Sequence, residues 1–180
     1  MRWLTFAIIA VIALTLQSTA APRLELCGAR PDGLVVVVVF FALHGRMPEA
    51  AVGAWIIGAC ADLMTIERAG LISFSYALTA LGVANVREYL FRYQGRTQFT
   101  VTLVACLTVR AGWLLYRRAL YDPGPSIWAD AAADVLLASV YTAALAPPLH
   151  RLLLKMSGAL GLARPRYTYA GLHRLSEDHV

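Results

Sequence analysis

Uncharged apolar runs recur along almost the whole chain, and no connection between them exceeds about a dozen residues. Several of these runs approach the ~20 residues that a helix needs to cross hydrocarbon. Little is left from which a separate soluble domain could be built. Hydrophobic residues make up 59% of the chain and charged ones only 15%, against about 25% charged in an ordinary soluble domain. The chain therefore reads as an all-α, polytopic membrane protein with one transmembrane body. Inside a bilayer each backbone amide must find its partner within the fold. The Val35–Val39 run would suggest a strand in water, but here it is predicted to be helical.

Six segments can be placed. The first is Trp3–Ala21, with Arg2 in front. Its apolar run Leu4–Leu16, followed by Ser18 and Ala20, also fits a cleaved leader, but its length favours a retained helix. The second begins at Pro31-Asp32 and continues through Gly33–Leu43 to about Met47, roughly 25 Å at ~1.5 Å per residue. A tight turn, Arg46–Glu49, leads to the third, Ala50–Ala61, which ends in Asp62. Two short helices so joined form an antiparallel hairpin that thins the bilayer or shelters behind longer helices. The fourth runs from about Ala69 to Val86 and continues as an interfacial end carrying Arg87, Arg92 and Arg96, with Gly95 as its stop. The fifth is Thr97–Tyr116. The sixth is Ala131–Leu149, closed by Pro147-Pro148. The transmembrane body is thus 1–155, and 156–180 is a basic tail expected to be loosely ordered. Six crossings put both termini on one side. That side holds about twice as many Arg and Lys as the other, which makes both termini cytoplasmic.

Arg110 interrupts the fifth segment. A guanidinium at bilayer depth costs about 2.5 kcal/mol or more unless it meets a partner or water. Asp62, Asp130 and Asp134 are the candidate acids. Asp130 and Asp134 share a face of the sixth segment, and Asp134, one turn deeper, is the better partner. Such a pair fixes helix register, or lines a polar relay. A second constellation is the helix-packing or partner stripe Ala50, Ala54, Gly58, Asp62 and Gly70, whose small residues let another helix approach closely. Asp62 stands at a helix C-terminus, the unfavourable end for an anion, so it needs donors from an arginine or from the backbone N–H groups of the following turn.

No nucleophile elbow, zinc-protease, P-loop or dinucleotide motif is present, so no catalytic residues, cofactor or metal ligands are expected. His44 and His150 read as interfacial, and His173 and His179 belong to the tail. Cys27, Cys60 and Cys106 lack ligand spacing, which makes a zinc site or disulfide framework unlikely on chemistry alone. The basic balance, +5, is a membrane signal, and nucleic acid is not an expected partner.

Gly58-Ala-Cys-Ala-Asp62-Leu63, a short loop, Gly70–Leu78 and Asn85-Val-Arg87 together resemble the MreD family of rod shape-determining membrane proteins. In that family a Gly-x-x-x-Asp-Leu ends a short helix, and a glycine opens the next. The Pro31-Asp32 start and the turn at Pro48 look similar too, and the likeness extends over about residues 1–155. Thr65–Arg68 and the long tail depart from the pattern. The resemblance implies a non-enzymatic component of the cell-elongation complex in a bacterial inner membrane. Its partners would be the lipid bilayer and an MreC-like protein, and it would couple MreB filaments to peptidoglycan synthesis. It also implies a six-transmembrane-helix bundle resembling the substrate-binding subunits of energy-coupling-factor transporters. A small-molecule transporter, or its membrane substrate-binding subunit, is the rival reading. Asp62, Glu67, Trp128 and Asp130 are too few to define a specific pocket, so no small-molecule substrate is expected.

Overall fold

The computed structural model describes residues 3–25, 28–64, 70–87, 94–121 and 125–155. Its elements are helical: α1 (Trp3–Thr19), a 3₁₀ turn (Ala21–Leu24), α2 (Gly33–His44), α3 (Met47–Leu63), α4 (Leu71–Val86), α5 (Gly95–Tyr121) and α6 (Pro125–Lys155). The tail from 156 onward, with His173 and His179, lies outside the described residues. So do Cys27, Glu67 and Arg92, and the side chain of Trp128 is likewise not described.

The valine-rich α2 is the centre of the molecule. Every residue from Leu34 to Leu43 is buried, and the helix packs against α1, α3, α4, α5 and α6. A helix that is apolar all round has no wet face to offer, so it is stable only when enclosed. The surrounding helices enclose it and override the modest helix preference of β-branched valines. The short hairpin is thus split in role: α2 is sheltered and α3 is peripheral. α1 turns Phe6, Ile9, Ala10 and Leu14 inward, one face at helical spacing. Phe6 stacks edge-on against Phe41 and lies over Gly53 of α3, where an added Cβ would stand 3.0 Å from its ring.

The outer faces are apolar as well. Leu4 and Val11 on α1, Trp55 on α3, Phe74 on α4, Leu115 on α5 and Leu136 on α6 are all exposed. A protein in water rarely displays so much apolar surface, whereas a lipid-facing bundle does so by construction. Among the described residues, two helices are able by length and composition to cross a membrane, over Gly95–Leu120 and Asp130–Lys155, while α1, α2 and α4 are shorter apolar helices.

Several boundaries differ from the sequence expectation: α5 runs on to Tyr121 and α6 opens at Pro125, not Ala131. Gly95 opens α5 rather than closing α4, which ends at Val86. Pro147 and Pro148 do not close the sixth helix, because α6 runs through them to Lys155. Each proline removes one intrahelical N–H and strains the preceding turn. Apolar helices accommodate this where neighbours cover the freed carbonyls.

Candidate functional site

Two polar clusters interrupt the apolar interior. The first joins α3 to α4. Asp62 is 4% exposed in the last turn of α3. Its Oδ2 accepts the N–H groups of Gly70 and Ser73, both at 3.0 Å, and its Oδ1 accepts the N–H of Ile72 at 3.1 Å. The Ser73 hydroxyl donates to it as well. Gly70, at φ 107°, is the left-handed residue that starts α4 and supplies no side-chain cap of its own. Asp62 therefore caps the helix after its own. The unfavourable field of α3's C-terminus is outweighed by several charge-assisted bonds to α4's N-terminus. Backbone N–H groups, one of the two donor types expected from sequence, are found among the described residues.

Gly58 explains how α4 gets close enough. A Cβ there would stand 2.5 Å from Ser73 Cα and 2.8 Å from Ser73 N. Ala50 and Ala54 are buried on the same helix, whereas Gly70 is exposed. The stripe is therefore not open to another protein along its full length: at Gly58 and Asp62 it is covered by α4 of the same chain.

The second cluster gathers the strap before α2. The Asp32 carboxylate accepts the N–H of Val35 at 3.3 Å, and the Asp32 N–H donates to Thr142 Oγ1 of α6 at 2.9 Å. Gln17 of α1 accepts the N–H of Gly33 at 2.9 Å and donates to the Pro31 carbonyl at 3.3 Å. The Tyr76 hydroxyl of α4 donates to the Asp32 carboxylate at 3.4 Å. Arg110 of α5 donates through Nη2 to the Arg30 carbonyl at 3.0 Å. Side chains from α1, α5 and α6 thus hold one turn of backbone, and Tyr76 of α4 holds the Asp32 side chain. Beside it a cavity of about 430 Å³ opens between α2, α4, α5 and α6, with Asp32, Tyr76, Arg110, Trp113, Arg117 and Asp134 in its wall.

This geometry corrects the expected pairing of Arg110. Its hydrogen bond goes to a carbonyl, and Asp32 shares the cavity wall with it. Among the described residues no ion pair joins it to Asp134 or Asp130, both of which are exposed. Asp134 shares the cavity with Arg110 without touching it, and Asp130 is outside the cavity wall. The reason is that the strap before α2 reaches the guanidinium first. Asp134→Ala is accordingly expected to leave thermal stability within about 0.5 kcal/mol of the parent. Arg110→Leu should cost more, about 1–3 kcal/mol, because it strips the Arg30 carbonyl of its donor and Asp32 of its neighbouring cation. Melting of the two purified variants in one detergent checks the order.

Residues 1–155 match the family described as rod shape-determining protein MreD. The chain belongs to the MreD family. No curated protein and no solved structure matches it. It is a membrane protein of a cell-shape family, and its exposed apolar helix faces fit that location.

Seen in this MreD-family chain, the spacing Gly58-x-x-x-Asp62 has a physical purpose. The two residues are one helical turn apart, and both meet the first turn of α4. The first admits the backbone and the second bonds it. The basic residues divide: Arg87 donates to the Gly45 carbonyl in the α2–α3 turn, while Arg96 is exposed on α5. His150 is not interfacial. It is fully buried on α6, with Nε2 3.2 Å from the Val36 carbonyl and its ring edge-on to Phe40. Because α6 outruns the prolines, a residue expected at its end falls inside. Among the described residues no group of His, Cys, Asp and Glu could hold a metal ion.

Asp32, Tyr76, Thr142 and Gln17 were not singled out by sequence reasoning as one cluster. Asp32 offered a signal, since an acid that caps the most apolar helix is carried into the bundle with it. The other three are polar residues in apolar runs with no local pattern to mark them.

Proposed function

We propose that this protein is a non-enzymatic component of the bacterial cell-elongation complex, held in the inner membrane by six crossings with both termini cytoplasmic. The bundle is arranged like the substrate-binding subunits of energy-coupling-factor transporters. It binds an MreC-like partner through the outer faces of its helices and so helps link cytoplasmic filaments to peptidoglycan synthesis. The observation that carries this reading is the family match over residues 1–155. The arginine asymmetry supports the orientation. The apolar side chains on five of the helices provide the surface on which a partner's helix can pack. Depleting the protein from a rod-shaped host is expected to round or widen the cells. Unchanged cell shape would overturn the proposal.

One observation favours a second reading, a membrane transporter or its substrate-binding subunit: the cavity beside Asp32 and Arg110. Depletion that leaves shape intact but creates a nutrient requirement would support it.

A further inference from the structure

We infer that the cavity between α2, α4, α5 and α6 binds a zwitterionic group joining an ammonium to a phosphate, as in a phosphoethanolamine headgroup. The cavity wall holds two cations, Arg110 and Arg117, and two carboxylates, Asp32 and Asp134. Groups of both signs thus share one wall. A dipolar ligand can satisfy both signs at once.

The roles of the four groups follow from what each already does. Asp32 is committed to the fold, since it caps α2 and accepts from Tyr76. Asp134 is exposed on α6 and, among the described residues, carries no ion pair, so it is open to an ammonium. Arg110 is oriented by its bond to the Arg30 carbonyl, and it lines the cavity. Arg117 lies two turns further along α5, about 10 Å away, and its guanidinium rests 4.7 Å from the centre of the Trp113 ring. An acceptor seated between Arg110 and Arg117 would meet two guanidiniums, groups whose planar N–H forks suit phosphate oxygens.

The remainder of the wall indicates that the group belongs to a lipid. Ile72, Val109, Leu114 and Val135 line it. The surfaces of α5 and α6 nearby expose Leu115, Leu136 and Leu137. A headgroup seated among the charges would leave its chains on an apolar helix surface, whereas a free soluble ligand would gain nothing from that surface.

The test uses the full chain, purified in detergent and offered equal amounts of phosphatidylethanolamine and phosphatidylglycerol. Retention is read by native mass spectrometry. Phosphatidylethanolamine is expected to be retained about tenfold over phosphatidylglycerol. Asp134→Asn should abolish that preference, and Arg117→Gln should weaken retention of both lipids. Both side chains are exposed, so these variants should melt like the parent without lipid. Soluble phosphoethanolamine is the second probe. Stabilisation by it equal to that by the lipid assigns the site to the free group, and stabilisation by the lipid alone assigns it to the headgroup. Equal retention of the two lipids, or a preference unchanged in both variants, overturns the inference.

Discussion

Asp62→Ala should lower the stability of the purified protein by about 3 kcal/mol, seen as a fall in melting temperature of roughly 6–12 °C. The substitution removes the acceptor for the N–H groups of Gly70, Ile72 and Ser73 and for the Ser73 hydroxyl. Losing an ordinary N-cap costs about 0.5–2 kcal/mol. This one should cost more, because the acceptor is ionised and buried, and apolar surroundings give the freed donors little water to turn to. Asp62→Asn keeps one acceptor oxygen and should lose about half as much. If the alanine variant melted with the parent, the cap would have no energetic weight and the account of the Gly-x-x-x-Asp spacing would fail.

Gly58→Ala should destabilise by about 2 kcal/mol, although alanine is the better helix former. Its helical advantage over glycine is about 1 kcal/mol. Against that, the new methyl would stand 2.5 Å from Ser73 Cα, a backbone atom that cannot swing aside. Overpacking of this kind costs about 1–3 kcal/mol or more, and here it also lifts the α4 amides away from Asp62. The clash wins for that reason. Gly82 of α4 is the control: an added Cβ there meets nothing within 4 Å, so Gly82→Ala should be neutral or stabilising by up to about 1 kcal/mol. Because both substitutions break the same contact, the Gly58→Ala, Asp62→Ala double variant should lose less than the two singles together. A strictly additive double variant would show that the two residues act independently.

Much of the architecture was legible in the residue pattern. Apolar runs bounded by Pro31, Pro48 and Gly70 marked helix starts that lie close to those observed. Local rules misjudged the ends at Gly95 and Pro147. The signals there are conformational preferences of about 1–3 kcal/mol, and long-range packing of α5 on α6 exceeds them. Asp62 was legible as an anion in need of donors, and the neighbouring helix supplies them. Arg110 was legible as a charge in need of company, but not whose.

The amino-acid sequence by itself determined that this chain is a helical membrane protein of the MreD type, because hydropathy, backbone satisfaction and the Gly58–Asp62–Gly70 spacing are properties of short stretches. Only the tertiary structure decided which helix lies at the centre, that the stripe of α3 is covered by α4, and that Arg110 reaches the strap before α2 instead of Asp134. Those outcomes depend on distances between residues far apart in the chain, such as Arg30 and Arg110 or Asp32 and Thr142. Such distances are set by how the helices pack around α2, and no local pattern encodes them.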